Sequence, residues 1–175
     1  AQAEFELLGI DFQSRGKVLD AGIPELAALL ENEFVNGFGA RPLPTQSPRP
    51  PIWVAGSSPA AIKRAARLGD GWLPQGPSDA SMIHILYDEW ARIGRNAENF
   101  MIGHITPFLY IGEPTFEVGE ATLTGSAQSI AERILAGTAS GVNQLQVRFK
   151  AQSCQELCDQ IAAFAAEVAP FVTTI

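Results

Sequence analysis

Apolar positions along the chain alternate between short apolar runs and longer segments in which apolar residues recur at helical spacing. The first run has no polar alternation, as expected for a strand buried on both faces, and the longer segments predict amphipathic helices. The predicted strands are Ile52–Ala55, Trp72–Pro74, Met101–Ile111 and Gln144–Phe149. The helices that follow them are predicted over Pro59–Leu68, Asp79–Ile93, Ala127–Ser140 and Ser153–Ala169. Pro107, inside the third strand, predicts a bulge or the end of pairing.

The segment before the first strand is predicted to be helical and then irregular. Helical spacing extends from Phe5 to Phe34, but Pro24 lies inside it, and an interior proline removes a backbone hydrogen bond. We therefore predict two short helices, the second beginning near Pro24. From Asn36 to Pro51 the repeated glycines and prolines predict an irregular loop.

The final predicted helix carries one apolar face. Its members recur at helical spacing and are Cys154, Leu157, Cys158, Ile161, Ala165 and Val168. We expect this face to lie in the core, with the two cysteines as a reduced core pair.

Strict alternation of strand and helix predicts a parallel sheet with helical crossovers. With four strands and no signal for a β-hairpin, two α/β architectures remain: a small open doubly wound sheet, or part of a (β/α)8 barrel of the TIM type. A complete barrel typically needs about 250 residues, whereas this chain has 175. The chain would therefore supply only half of such a barrel.

Composition and charge exclude several classes of function. Hydrophobic residues make up 46% of the chain, which is enough for a real core. With 12 Lys and Arg against 19 Asp and Glu, the net charge of -7 disfavours binding to a nucleic-acid backbone. No apolar run is long enough to cross a bilayer, and two cysteines provide no disulfide framework. We expect a soluble, cytoplasmic protein with no membrane partner.

The most informative candidate site is the turn Gly56-Ser57-Ser58 between the first strand and its helix. Gly56 allows close approach of a ligand to the backbone, and Ser58 is placed to cap the helix that begins at Pro59. A helix N-terminus preceded by small residues favours a phosphate. An ordinary serine cap explains the same residues. Trp72, in the second strand, is placed either to stack on a ring or to fill the core.

Other polar residues have simpler interpretations. Thr124-Gly125-Ser126 resembles a second anion-capable cap, although capping alone explains it. His84 and His104 have no partners at metal-ligand spacing and are expected to be packed or exposed. The cations after the candidate turn, Lys63, Arg64 and Arg67, are expected on a solvated face. The loop from Gly112 to Thr124 should lie at the ligand-bearing end and is a candidate lid. No catalytic residue can be assigned.

Three segments together resemble luciferase-like flavin monooxygenases. The segment Glu4–Phe12, followed by Arg15-Gly16 and Leu19-Asp20, resembles the region after the fourth barrel strand of that family. The run Pro50–Ala61, ending in Ala65–Trp72, is similar to its fifth strand, helix and sixth strand. Gly125–Ala127 through Gly141–Leu145 is similar to its seventh helix and eighth strand.

The resemblance implies a (β/α)8 barrel and a coenzyme, either FMN or a deazaflavin of the 8-hydroxy-5-deazaflavin type. It places the coenzyme phosphate on Gly56, Ser57 and Ser58, beside Ala60 and Ala61, and leaves Trp72 as a candidate contact. It also implies that residues 1–175 form one C-terminal half-barrel. Residues 1–51 would form leading helices and a proline-rich loop, and residues 52–175 four βα units, equivalent to strands five to eight.

Two functions follow as expectations. The first is a flavin- or deazaflavin-dependent oxidoreductase or monooxygenase acting on an unidentified small organic substrate, in a truncated form that carries the phosphate site. The second is a non-catalytic half-barrel that dimerises, because a half-barrel exposes strand edges and an apolar inner face. In either case we expect a homodimer or a missing N-terminal half to complete the core. A compact open-sheet phosphate-binding domain is a third possibility.

Overall fold

The computed structural model describes residues 2–39 and 41–172 and shows a parallel sheet with helices packed on one face. Its strands are β1 (Phe34–Val35), β2 (Phe38–Gly39), β3 (Trp53–Ala55), β4 (Gly71–Leu73), β5 (Met101–Ile111), β6 (Leu123–Gly125) and β7 (Gln144–Phe149). Its α-helices are α1 (Gln2–Leu7), α2 (Arg15–Glu31), α3 (Pro59–Leu68), α4 (Ala80–Ile93), α5 (Ala127–Gly137), α6 (Cys154–Ala163) and α7 (Ala169–Val172). A 3-10 turn at Phe12–Ser14 precedes α2, and a π-helical turn at Phe164–Val168 joins α6 to α7.

The main sheet contains β3, β4, β5 and β7 side by side, all parallel. A fifth strand, β6, pairs with the end of β5 on the side opposite β7, because Leu109 faces Leu123 across one edge and Phe149 across the other. In residues 2–39 and 41–172, β3 pairs only with β4, and β7 only with β5. Among the described residues, the edges of β3 and β7 are therefore open, and so is the outer edge of the short β6.

The two faces of the sheet are covered differently. Val54 pairs with Trp72, which pairs with Ile102, so these three side chains share the face against which the helices pack. All three are buried. The opposite face carries Trp53 and Leu73, which are only partly buried. Burial is thus one-sided, as expected for part of a barrel wall with its inner face uncovered.

Side-chain caps explain why the predicted helix starts agree closely with the structure. Ser58, Asp79, Ser126 and Ser153 each accept a hydrogen bond from a backbone N–H in the first turn of α3, α4, α5 and α6. Such caps satisfy donors that have no partner within the helix. The bulge predicted at Pro107 is also confirmed, since the register between β5 and β7 shifts between Ile105 and Phe108.

The predicted break at Pro24 is wrong, because α2 runs without interruption from Arg15 to Glu31. Pro24 removes one backbone hydrogen bond, but it is exposed and its neighbour Ile23 is buried, so packing of the Ile23 side holds the helix together. The interruption instead falls before Phe12, where Gly9 adopts a positive φ of 67°.

The expectation of no hairpin is also wrong, since β1 and β2 form one. The turn residues Asn36 and Gly37 both have positive φ, 50° and 83°. An Asn-Gly pair is the preferred sequence for such a two-residue turn. The local signal was therefore present in the sequence.

The predicted burial of the α6 face is wrong as well. Cys154, Leu157, Cys158, Ile161 and Ala165 are exposed, whereas Val168, from the same predicted face, is buried as expected. The buried residue of α6 is Gln160, whose side chain accepts from the Ile111 N–H over 2.6 Å and donates to the Ile111 carbonyl over 3.2 Å. These two bonds orient the helix, so its apolar stripe turns away from the sheet.

Among the described residues, none of the helices combines the length and the apolar composition that crossing a membrane would require.

Candidate functional site

The candidate turn lies at the carboxyl end of β3, where the chain enters α3. Gly56 has a φ of +128°, and a Cβ built on it would lie 2.8 Å from the Cβ of Ala61. Glycine is therefore required both by the backbone conformation and by the close approach of the helix. The Gly56 N–H donates to the Leu73 carbonyl over 3.0 Å, which fixes the turn to the end of β4.

The two serines of the turn hold it in different ways. The Ser57 hydroxyl oxygen accepts the N–H of Gln75 over 2.8 Å, joining this turn to the loop after β4. The Ser58 hydroxyl oxygen accepts the N–H of Ala61 over 3.3 Å and caps α3. The ordinary capping role predicted for Ser58 is thus present, and Ser57 still has its hydroxyl proton available for a ligand.

Three backbone donors around the turn have no acceptor. Within the described part of the chain, the N–H groups of Ser57, Ser58 and Ala60 make no hydrogen bond. The first turn of α3 contains no acidic side chain. Free N–H groups together with the positive end of a ten-residue helix form an anion-binding arrangement.

Trp72 lies below the turn and is completely buried. Its indole N–H donates to the Gly56 carbonyl over 2.8 Å. Of its two predicted roles, filling the core is the one the structure displays, with the added function of fixing the turn. Contact between Trp72 and a coenzyme stays a prediction.

A groove of about 580 Å³ borders the turn. It lies between α3 and the leading helices, and its lining includes Ala55, Ser58, Ala60, Ala61, Phe5 and Arg15. The Arg15 guanidinium lies 3.7 Å from the centre of the Phe12 ring and donates to the Phe12 carbonyl over 2.6 Å. The Arg15 guanidinium is therefore a fixed positive charge in the lining of the groove, which the start of α3 with its free N–H groups also borders.

The expectation that the cations of α3 lie on a solvated face is wrong for Arg64. Arg64 is 92% buried, whereas Lys63 and Arg67 are exposed as expected. Its Nε donates to the Asp20 carboxylate over 2.7 Å, and its Nη2 to the Gly16 carbonyl over 3.2 Å. Arg64 thereby fixes α2 against α3 and gives the groove its second wall. The partners are more than forty positions apart, so helical periodicity carries no signal for this contact.

At the opposite end of β3, a partly buried ion pair between Arg49 and Asp70 anchors the strand. Asp70 accepts the N–H of Ile52 over 2.8 Å and a hydrogen bond from Arg49 over 2.5 Å. Burial of the Asp70 carboxyl raises its pKa, but the hydrogen bonds from Arg49 and Ile52 outweigh burial and leave the pKa below its usual value. Strand β3, and the turn that it carries, is thus held at both ends.

The histidines occupy different environments. His84 is exposed on α4, whereas His104 is buried in β5 beside Ser78, and burial lowers the pKa of its imidazole. The second predicted cap, Thr124-Gly125-Ser126, provides the Ser126 cap of α5. In residues 2–39 and 41–172 no group of three His, Cys, Asp or Glu side chains is arranged to hold a metal.

Comparison with solved structures agrees with this architecture. An F420-dependent secondary alcohol dehydrogenase, solved with an F420-acetone adduct, superposes with a TM-score of 0.64 over 92% of this chain and 63% of its own length. The sequence identity is 13%, so the likeness concerns the fold. It confirms the expected α/β fold class with a parallel sheet, whereas closure into a barrel stays a prediction.

Sequence comparison gives the family. Three mycobacterial proteins, from Mycobacterium bovis and two strains of Mycobacterium tuberculosis and each described as uncharacterised, are 33% identical over 112 residues. The match covers 60% of this chain and 36% of each relative, so the chain spans about a third of their length. A model described as luciferase-like monooxygenase matches residues 1–115, well over half of the 175 residues. The chain therefore belongs to the luciferase-like monooxygenase family.

Proposed function

We propose that this chain provides the coenzyme-phosphate site of a flavin- or deazaflavin-dependent oxidoreductase. The observation that carries the proposal is the set of three free N–H donors at Ser57, Ser58 and Ala60. They lie at the start of a capped helix and at the carboxyl end of a parallel strand, where α/β proteins bind their ligands. The coenzyme would be FMN or a deazaflavin of the 8-hydroxy-5-deazaflavin type.

The chemistry of the turn fits a phosphate. The unpaired polar groups of the turn include the three N–H donors and the hydroxyl proton of Ser57. Gly56 has no side chain in the way, and Ala60 and Ala61 leave room above the first turn of α3. The Arg15 guanidinium adds a positive charge on the same groove. A dianion would be bound by several charge-assisted hydrogen bonds.

The protein's part in the reaction is to bind, orient and exclude water. A bound reduced flavin or deazaflavin would supply hydride transfer, and FMN would also support oxygen insertion. Trp72 and Ser57 hold the turn from two sides, so the phosphate donors are positioned before the coenzyme arrives. On the inner face of the sheet, the half-buried side chains of Trp53 and Leu73 form an apolar wall next to this turn.

The open edges of the sheet support a proposal for the domain organisation. We infer that β3, β4, β5 and β7 correspond to strands five to eight of the family barrel. The free edges of β3 and β7 and the uncovered inner face would then be completed by four further βα units. The substrate would meet the coenzyme inside that completed barrel. Exposed free cysteines and the use of a reduced coenzyme support a cytoplasmic location.

A second candidate function is favoured by the exposed stripe on α6. Leu157 and Ile161, together with Cys154 and Cys158, present an apolar surface to solvent on a helix next to an open sheet edge. Such a surface marks an interaction site. A half-barrel that assembles as a homodimer, with no catalytic role of its own, would use this surface.

A titration separates the two candidates. The full chain is titrated with oxidised FMN, with FMN reduced under anaerobic conditions, and with the deazaflavin coenzyme in both redox states. The coenzyme proposal predicts saturable binding of at least one form, weakened in competition by inorganic phosphate. Absence of binding by all of them, in a folded sample, would refute the coenzyme proposal and leave assembly as the function of the chain.

A further inference from the structure

A second cavity, of about 430 Å³, lies on the helix-covered face of the sheet. We call it the His104 cavity. It is bordered by β5, β6 and α5, and its lining includes His104, Arg133, Pro77, Leu123 and Ile134. A volume of this size accommodates a small organic molecule. Because the phosphate turn lies elsewhere, at the end of β3, this cavity is independent of the coenzyme proposal.

The hydrogen bonds of His104 determine which ring nitrogen carries its proton. The backbone N–H of Ser78 points at Nδ1 over 3.3 Å, and the Ser78 hydroxyl oxygen lies 3.0 Å from the same atom. A backbone N–H can only donate, so Nδ1 is unprotonated and accepts from Ser78. Since burial also favours the uncharged ring, the proton of His104 resides on Nε2.

The Nε2–H of His104 is a donor without an acceptor. Within the described residues nothing accepts a hydrogen bond from it, and Nε2 is not among the side-chain atoms that are buried without a partner, although His104 as a residue is buried. The donor is therefore accessible from the cavity that His104 lines. The ring lines the His104 cavity, so a ligand in that cavity can supply the missing acceptor.

Arg133 provides a second donor group on the same cavity. Arg133 is exposed, and in residues 2–39 and 41–172 it forms no ion pair and no side-chain hydrogen bond, while the neighbouring Glu132 accepts from Gln128. The remaining lining is mostly apolar, with Pro77, Leu123 and Ile134 among it. A ligand that accepts hydrogen bonds and carries negative charge at one end, and is apolar elsewhere, would match this lining.

We propose that the His104 cavity binds a small organic carboxylate, whose carboxylate accepts from Arg133 and from the Nε2–H of His104 and whose apolar part packs on Leu123 and Ile134. A guanidinium matches a carboxylate in charge and geometry, and a neutral imidazole N–H adds a directed hydrogen bond without a second charge.

The test uses the full chain, hexanoate as the probe, and NMR. Long-range ¹H–¹⁵N spectra of the histidines should show His104 protonated on Nε2, and its signals should shift on saturation with hexanoate. Arg133→Gln should weaken binding about tenfold, as expected for the loss of one charge-assisted hydrogen bond. Lys63→Gln removes the same charge from an exposed position on α3 and should leave the affinity unchanged.

Several results would overturn the proposal. One is a proton on Nδ1 of His104, and another is equal weakening by Arg133→Gln and Lys63→Gln. Inorganic phosphate and hexanol are titrated as two further probes. Phosphate binding as tightly as hexanoate would show that the cavity selects charge alone, and hexanol binding equally well would show that the carboxylate contributes nothing. Since the coenzyme site is not involved, a failed coenzyme titration does not affect this result.

Discussion

The indole N–H of Trp72 donates to the carbonyl oxygen of Gly56 over 2.8 Å, and this bond joins the fully buried core to the turn proposed to hold a phosphate. The donor packs among core side chains that include Val54 and Ile62. The acceptor belongs to a residue whose backbone conformation only glycine adopts easily. The shape of the turn therefore depends on the packing of a residue beneath it.

The first prediction concerns Trp72→Phe. The substitution removes the donor to Gly56 and leaves a small cavity in the core. We expect it to lower the free energy of unfolding by about 2–4 kcal/mol, measured by urea denaturation. The affinity for the coenzyme should fall as well, because the donors that follow Gly56 lose their fixed orientation.

Trp90→Phe provides the matched control for that prediction. Trp90 is also buried, but its indole nitrogen has no hydrogen-bond partner among the described residues. The same change in volume at Trp90 should lower the free energy of unfolding by less than Trp72→Phe does, and it should leave the coenzyme affinity unaltered. If both variants lost coenzyme affinity equally, the effect of Trp72 would be general loosening of the fold and not support of the turn.

Gly56→Ala tests the turn directly. A Cβ at this position would lie 2.8 Å from the Cβ of Ala61, in a backbone conformation with a φ of +128°. Relief of both strains moves the turn away from α3, so we expect about 1–3 kcal/mol of destabilisation and loss of coenzyme binding in the titration. Gly119→Ala, at a φ of +85° with no atom near the new Cβ, is the control for backbone strain alone. Unchanged coenzyme binding by Gly56→Ala would contradict the assignment of the phosphate to this turn.

Features governed by neighbouring residues could be predicted from the sequence. The start of α3 at Pro59 follows from the Ser58 cap, and the bulge in β5 follows from Pro107. The candidate turn was also located from its residues, since glycine, serine and proline act on the adjacent backbone. The hairpin at Asn36-Gly37 belongs to this group too, because the Asn-Gly pair itself favours the two-residue turn.

Features governed by distant residues could not be predicted in this way. The orientation of α6 depends on two hydrogen bonds between Gln160 and Ile111, 49 positions apart. The burial of Arg64 depends on Asp20 in α2. Periodicity shows which side of a helix is apolar, but such polar contacts decide which side is buried. The bond from Trp72 to Gly56 is of the same kind and gave no sequence signal.

The pH dependence of stability should report on His104. Burial lowers its pKa, so the folded protein binds a proton less readily there than the unfolded chain, whose histidine pKa is about 6.5. The contribution of His104 to the free energy of unfolding is then fully present above that pKa and decreases as the pH falls below it. The hydrogen bond from Ser78 acts in the same direction, because it requires an unprotonated Nδ1.

Urea denaturation at pH 8, 6.5 and 5 measures this decrease. His104→Asn retains an acceptor for Ser78 but does not titrate, so it should flatten the dependence between pH 6.5 and 5. His84→Asn removes an exposed imidazole and should keep the wild-type slope. A wild-type slope in His104→Asn would assign the acid sensitivity to other groups.

The last prediction concerns assembly through α6. Ile161 is 48% exposed in the apolar stripe, so Ile161→Glu should raise the dissociation constant of self-association at least about tenfold without lowering the free energy of unfolding of the separated chain. Gln155→Glu introduces the same charge on the side of the helix that carries Asp159, which Gln155 contacts, and is the control. Sedimentation velocity over a range of concentrations measures both. If both variants weakened self-association equally, the effect would be charge repulsion only. If the wild-type chain stayed monomeric at all concentrations, a second copy of the chain would not be the partner of this stripe. The uncovered face of α6 would then have to pack against the four further βα units that the proposed barrel requires.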